Sequence, residues 1–263
     1  MAGYLDHPRP VAFAHRGGAA HNPENSWPAF EHATRLGYAY LETDARSTSD
    51  GALLAFHDST LDRVTDRTGA VSKMTWRDVS AARIGGTEPI PLLEDLLGTF
   101  KDLRFNIDLK DSGTIEPLAS VLRRTGAWDR VCVTSFSGNR LLAAQRGLDQ
   151  PVCLAVTPAA IAAVRYAGHP GKALAARLAR SGAQCAQVPR QIATRAFIRR
   201  SHELGLQVHV WTLNTRKEIE HALDLGADGV MTDDVDLLRD ILTERGQWHP
   251  RAADTAAPAD LRA

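Results

Sequence analysis

Polar residues of this chain recur just where short apolar runs end, and their types suit phosphate chemistry. Glu42 and Asp44 stand two apart in AYLETD, so on a strand both carboxylates share one face. Two such acids repel unless a proton or cation lies between them, although a pair of solvated acids is an equal reading on its own. Asp108, closing the run RFNIDL, adds a third oxygen donor and shifts the balance toward metal. An all-oxygen set suits one hard divalent cation, Mg²⁺ or Ca²⁺, better than zinc. His15 follows VAFA and is trailed by Arg16, Gly17 and Gly18. A lone histidine there is more often a core residue, but the glycines permit close backbone approach and the Arg fork fits phosphate oxygens. His57 arrives at the end of LLAFHD in the same way. Two imidazoles at one mouth can act as acid and base across a scissile bond near neutral pH. Lys110 shares the face of Asp108 and reads either as a partner of that site or as a structural ion pair.

The elements that must hold these residues follow a strand–helix rhythm. Apolar runs lie at 11–14, 39–44, 104–109, 131–136, 152–156, 183–188, 206–212 and 229–233. Amphipathic stretches such as SWPAFEHATRLG and RKEIEHALDLG separate them, and glycines 37, 126, 147, 205 and 226 read as helix C-caps. Alternation throughout means parallel strands, and eight of them at 263 residues predict an α/β fold of the closed (β/α)₈ TIM-barrel type. The run 53–58 follows Asp44 too closely for a crossover helix, and its Ser49-Asp50-Gly51 turn predicts an extra antiparallel hairpin strand. Residues 58–104 then form a short insertion over one rim, with a GGTEPIP loop and a helix at LLEDLLGTF. One domain is expected over 1–246, with an Ala/Pro-rich flexible tail over 247–263.

Thirty-one basic and thirty-one acidic residues cancel, which argues against a surface built to coat nucleic acid or an anionic membrane. The N-terminal residues lack the apolar core of a signal peptide, and nothing approaches the roughly 20 apolar residues of a membrane span. The chain therefore reads as cytoplasmic, without stable membrane anchoring. Cys132, Cys153 and Cys185 are too sparse for a disulfide framework and read as buried small hydrophobes.

At these same residues the sequence resembles the glycerophosphodiester phosphodiesterase family. AHRGGAAHNPENSWPAF is similar to that family's opening block, and LETDARSTSDGALLAFHDSTLDRVTDRTGAVS looks like its E-x-D, F-H-D and L-x-R-x-T stretch. IPLLEDLL, FNIDLKD, VCVTSF, HVWTLN and GADGVMTDD follow in the family's order, so the likeness runs from about residue 11 to about 240. The resemblance implies a TIM barrel with an insertion after the F-H-D strand. It makes His15 and His57 the acid/base pair and Arg16 a phosphate ligand; we assign the leaving-group proton to His57 as our own mechanistic reading. It makes Glu42, Asp44 and Asp108 the metal ligands, sets Lys110 near the phosphate, and has Trp211 line the pocket against the alcohol. Asp108 stands where the family usually has Glu, one methylene longer; Ser26 and Leu92 replace threonines. The implied partner is a small-molecule glycerophosphodiester, cleaved to sn-glycerol 3-phosphate and an alcohol. A lysophospholipase D-like activity and a non-catalytic barrel holding phosphorylated ligands are the rival readings.

Overall fold

In this computed structural model residues 3–166 and 172–251 are described. Strand β1 (Val11–Ala14) is followed by helix α1 (Trp27–Leu36) and strand β2 (Tyr40–Ser47). The chain turns back into β3 (Leu53–Ala55), then passes α2 (Trp76–Val79), β4 (Arg83–Ile84), β5 (Glu88–Pro89) and α3 (Leu93–Thr99). The regular alternation resumes with β6 (Arg104–Leu109), α4 (Ile115–Thr125), β7 (Val131–Thr134), α5 (Gly138–Gly147) and β8 (Cys153–Ala155). Two helices, α6 (Pro158–Tyr166) and α7 (Lys172–Ser181), lead to β9 (Ala183–Pro189). The last units are α8 (Arg195–Glu203), β10 (Gln207–Trp211), α9 (Arg216–Asp224), β11 (Gly229–Thr232) and α10 (Val235–Glu244).

Strands β1, β2, β6, β7, β8, β9, β10 and β11 pair in parallel in that order, and β1 also pairs with β11, so the sheet closes into an eight-stranded barrel. Such strands are covered on both faces, which is why they read as nearly unbroken apolar runs. Residues facing outward, such as Leu41, Phe105, Ile107 and Val133, pack under the helices in one continuous core. The register of β2 on β6 pairs Glu42 with Asn106 and Asp44 with Asp108, which sets the acids side by side at the C-terminal end of the barrel. The hairpin is present: β3 returns antiparallel on β2, with Ala45 opposite Ala55 and Ser47 opposite Leu53.

Three expectations need correction. The GGTEPIP segment is not a plain loop, because β4 and β5 pair antiparallel across it. The insertion has a small core of its own, in which Phe56, Leu61, Val71, Val79, Ile84 and Ile90 are buried together. Helix α3 is not part of it: Leu93, Leu96 and Leu97 pack in the main core, so α3 is the barrel helix between β2 and β6. Glycines 37, 126, 205 and 226 have positive φ, but Gly147 is the last residue of α5 and the cap falls on Leu148. Residues 247–251 lie against the barrel, with Trp248 5.1 Å from the ring of Tyr38 and the Arg251 N–H donating to Gly37 O at 2.9 Å. The remainder of the expected tail lies outside the described residues. Among the described residues, no helix is long and apolar enough to cross a membrane.

Candidate active site

The turn after β1 fixes the first cluster. His15, Arg16 and Gly17 form a single tight turn in which Arg16 takes φ 50° and Gly17 φ 82°. A Cβ on Gly17 would lie 2.9 Å from Ala29 Cβ and from a ring carbon of Phe30, so only glycine lets this turn lie flat on α1. The strained Arg16 backbone is held from both sides: its N–H donates to Glu42 Oε2 at 2.9 Å, and its carbonyl accepts from the Asn25 N–H at 2.9 Å. Asn25, itself at φ 54°, donates through Nδ2 to Asp44 Oδ2 at 3.0 Å and accepts from Thr43 Oγ1 at 2.7 Å. The loop 22–25 thus positions Asp44.

All eight expected site residues line one cavity of about 790 Å³ at the barrel mouth: His15, Arg16, Glu42, Asp44, His57, Asp108, Lys110 and Trp211. Its floor includes Asn106 and Gln187, whose amides bond reciprocally at 3.1 and 2.7 Å. One wall is apolar, with Ile161, Ile192, Tyr166 and Phe136 beside Trp211. Phe136, 68% exposed, meets the Trp211 ring edge-on at 5.5 Å and lies 5.6 Å from Lys110 Nζ.

Each histidine is backed by a carboxylate. His15 Nδ1 is 2.6 Å from Asp233 Oδ1, and His57 Nδ1 is 2.6 Å from Asp58 Oδ1. Both acids are themselves held: Asp233 by Asn214 Nδ2 at 2.7 Å, Asp58 by the Arg63 guanidinium at 2.6 Å. Such a partner keeps the proton on Nδ1 and leaves Nε2 free toward the cavity. Burial works to lower the His15 pKa, but the Glu42 charge and Asp233 outweigh it and raise it above the ordinary value. Hydrogen bonds from Arg63 hold Asp58 well below the usual carboxylate range.

The three acids are short of positive charge. Lys110 Nζ lies between Asp44 Oδ1 at 2.8 Å and Asp108 Oδ2 at 2.6 Å, and Arg16 Nε is 3.2 Å from Asp44 Oδ2. Burial pushes Asp44 up, yet Lys110 and Arg16 prevail and keep it below its usual value. Glu42 has only one backbone N–H and the His15 ring, whose Nε2 is 3.8 Å away; burial pushes its carboxyl up to about 7. Asp108 is raised too, chiefly by burial, and its Oδ1 is buried without any partner. An orphaned oxygen and an under-compensated glutamate are what a cation site with hard ligands requires, so the residues fit a divalent ion. The Lys110 ammonium occupies the gap between two of them: among the described residues, three ligand atoms come within 4.8 Å of one another only in Cys132–Cys153–Cys185 and in His21–Asp234–Asp236.

Sequence reading missed the supporting residues. Asp58 was adjacent to His57 and Asp233 closed the last strand run, but nothing in the sequence paired either with an imidazole across space. Phe136 was also without a role, and Glu24, in the Asn22-Pro23-Glu24-Asn25 segment, bonds both Arg16 and Arg63.

Comparison with known proteins bears on the family and the fold. The sequence profile of the glycerophosphoryl diester phosphodiesterase family matches residues 15–237. A Mycobacterium tuberculosis protein named probable glycerophosphodiester phosphodiesterase 2 is 40% identical over 252 residues, covering 93% of this chain and 95% of its own. Two solved structures share the fold. A glycerophosphodiester phosphodiesterase of Agrobacterium tumefaciens has a TM-score of 0.71 at 24% identity, covering 87% of this chain and 98% of its own. An Oleispira antarctica phosphodiesterase, solved with the product sn-glycerol-3-phosphate, has a TM-score of 0.76 at 21% identity, covering 89% and 97%. With a profile match over most of its length and a relative this similar, the chain belongs to the glycerophosphoryl diester phosphodiesterase family.

Proposed function

We propose that this protein hydrolyses glycerophosphodiesters to sn-glycerol 3-phosphate and an alcohol, with one divalent cation, Mg²⁺ or Ca²⁺, and His15 and His57 as the acid/base pair. The observation that carries this reading is the pair of carboxylate-backed imidazoles in one cavity with three acids, a guanidinium and an ammonium. The same class of product occupies the Oleispira antarctica relative.

A phosphodiester carries one negative charge, and the transition state gathers more on its equatorial oxygens. Glu42, Asp44 and Asp108 would hold the cation, which when bound neutralises that charge as a Lewis acid. Arg16 and Lys110 add fixed positive charge beside the non-bridging oxygens, in a site largely screened from water. With Nδ1 committed to its carboxylate, each imidazole works through Nε2. His15 Nε2 takes the proton of the attacking oxygen, from water or the substrate's neighbouring glycerol hydroxyl. His57 gives a proton to the departing alcohol oxygen as the P–O bond breaks. What supports this division is the greater exposure of His57, whose side chain is 34% accessible against 18% for His15. The apolar wall of Trp211 and Phe136 takes the alcohol side of the substrate.

A glycerol 3-phosphate release assay over a panel of diesters, with Mg²⁺, Ca²⁺ or EDTA, tests the proposal. Release should depend on the cation, and His15→Ala or His57→Ala should each lower kcat by roughly 10²–10⁴. No release from any diester under any metal, or near-normal turnover in both variants, would overturn it.

A further inference from the structure

Beneath the cavity floor lies a second cluster that the phosphodiesterase chemistry does not use. Cys132 on β7, Cys153 on β8 and Cys185 on β9 stand on three adjacent strands, and all three are buried free thiols. Cys132 and Cys185 lie two residues before Thr134 and Gln187, which line the cavity, so their side chains point into the barrel one layer lower. The three Sγ atoms lie within 4.8 Å of one another, and those of Cys132 and Cys185 are 3.9 Å apart.

The polar atoms around this trio are short of acceptors. Gln187 Nε2 reaches only sulfur at 3.8 Å from Cys185 and 4.0 Å from Cys132, besides its bond to Asn106. The Tyr4 hydroxyl is buried without a partner, and its electrostatic neighbours are the three cysteines and Tyr40. His209 is 0% exposed, its Nδ1 has no partner, and its ring lies beside Cys185. A neutral thiol is a weak acceptor, and a buried donor without an acceptor is unfavourable. A thiolate is a strong acceptor, but three thiolates this close repel unless a cation sits among them. Burial pushes the Cys132 thiol well up, while hydrogen bonds from Cys132 and Cys153, then His209, hold Cys185 well below the usual thiol range.

We propose that Cys132, Cys153 and Cys185 form a metal site for one thiophilic d¹⁰ cation, Zn²⁺ or Cu⁺, distinct from the oxygen-ligand site at the mouth. Sulfur donors select these soft or borderline ions, whereas the mouth carboxylates select hard ones. A Zn–S bond of about 2.3 Å gives a tetrahedral S···S edge of about 3.8 Å, close to the 3.9 Å between Cys132 and Cys185. Binding exchanges three S–H bonds for three S–metal bonds and releases three protons. Gln187 and Tyr4 then have thiolates to donate to, the usual surroundings of a metal–sulfur centre. The ion would tie β7, β8 and β9 together directly under the substrate cavity.

The full chain, expressed with added Zn²⁺ or with added Cu²⁺ that the cell reduces, should carry about one such ion per chain beyond any at the mouth. X-ray absorption at the zinc or copper edge should read three sulfur neighbours and tells the two ions apart. The sulfur signal should persist in Glu42→Gln, which alters only the oxygen site, and vanish in Cys153→Ala and in Cys185→Ala. A thiol titration on the wild-type protein provides a measurement independent of those core variants: in denaturant a mercurial reagent should release about one thiophilic ion as it modifies the three thiols, and release of none would count against the site. Absence of a bound thiophilic ion after both expressions, or an ion with only oxygen and nitrogen neighbours, would overturn the proposal and leave the trio as packing residues.

Discussion

Replacing Glu42 by Gln should stabilise the metal-free protein while abolishing its function. Glu42 is 4% exposed, and Lys110 and Arg16 are both committed to Asp44 and Asp108 or to Glu24. Its carboxyl is raised from 4.5 to about 7, chiefly by burial, with the Asp44 charge adding to it and His15 opposing. A carboxyl whose folded pKa exceeds its unfolded value keeps its proton in the folded state over a range where the unfolded chain has already lost it. Stability from this group is thus fully present below about 4.5 and is lost as pH rises to about 7. At 1.36 kcal/mol per unit of pKa, that range corresponds to a loss of about 3 kcal/mol. Glu42→Gln keeps the shape and removes the titration. In EDTA at pH 8 the variant should therefore exceed wild type by up to about 3 kcal/mol, or roughly 6–12 °C in Tm for a chain of this size. At pH 4.5 the two should be nearly equal, and saturating Mg²⁺ or Ca²⁺ at pH 8 should restore wild type, because the cation supplies the missing charge. Urea unfolding across pH 4.5–8, with and without cation, reads all three comparisons. A variant no more stable than wild type at pH 8 in EDTA, with no pH dependence of the difference, would refute the charge deficit on which the metal assignment rests.

Asp233→Asn should lower kcat by roughly 10²–10⁴ with little change in KM, because the imidazole loses the acceptor that fixes its tautomer. The same change should lower the His15 pKa in a pH–rate profile or by NMR titration, since Asp233 is one of the two groups raising it; an unmoved His15 titration would remove Asp233 from the mechanism. Gly17→Ala should destabilise the fold by about 1–2 kcal/mol or more, since the added Cβ meets both positive φ and the 2.9 Å contacts on α1. It should also lower kcat by displacing His15 and Arg16, and urea unfolding indistinguishable from wild type would contradict this account of the turn.

The eight-strand rhythm was legible because each parallel strand is covered on both faces and leaves a short apolar run closed by polar residues. The hairpin was legible from spacing and its Ser-Asp-Gly turn: the eight residues between Asp44 and Leu53 cannot hold a crossover helix. The insertion's internal hairpin was not, since β4 and β5 are two residues each and carry no periodicity. Helix α3 reads as part of the insertion by sequence position, but Leu93, Leu96 and Leu97 bind it to the main core.

By itself the sequence determined which side chains stand at strand ends, because alternation along a strand fixes which face each one takes. It determined in that way that Glu42 and Asp44 share a face and that Asp108 and Lys110 share another. Tertiary structure decided who meets whom. Barrel closure brings Asp233, from the last strand, to His15 at the end of the first, 218 positions away in sequence. It also sets Lys110 between Asp44 and Asp108, and gathers three cysteines that sequence spacing gave no reason to join. Contacts between strands depend on register and closure, and those arise only when the whole sheet buries its core.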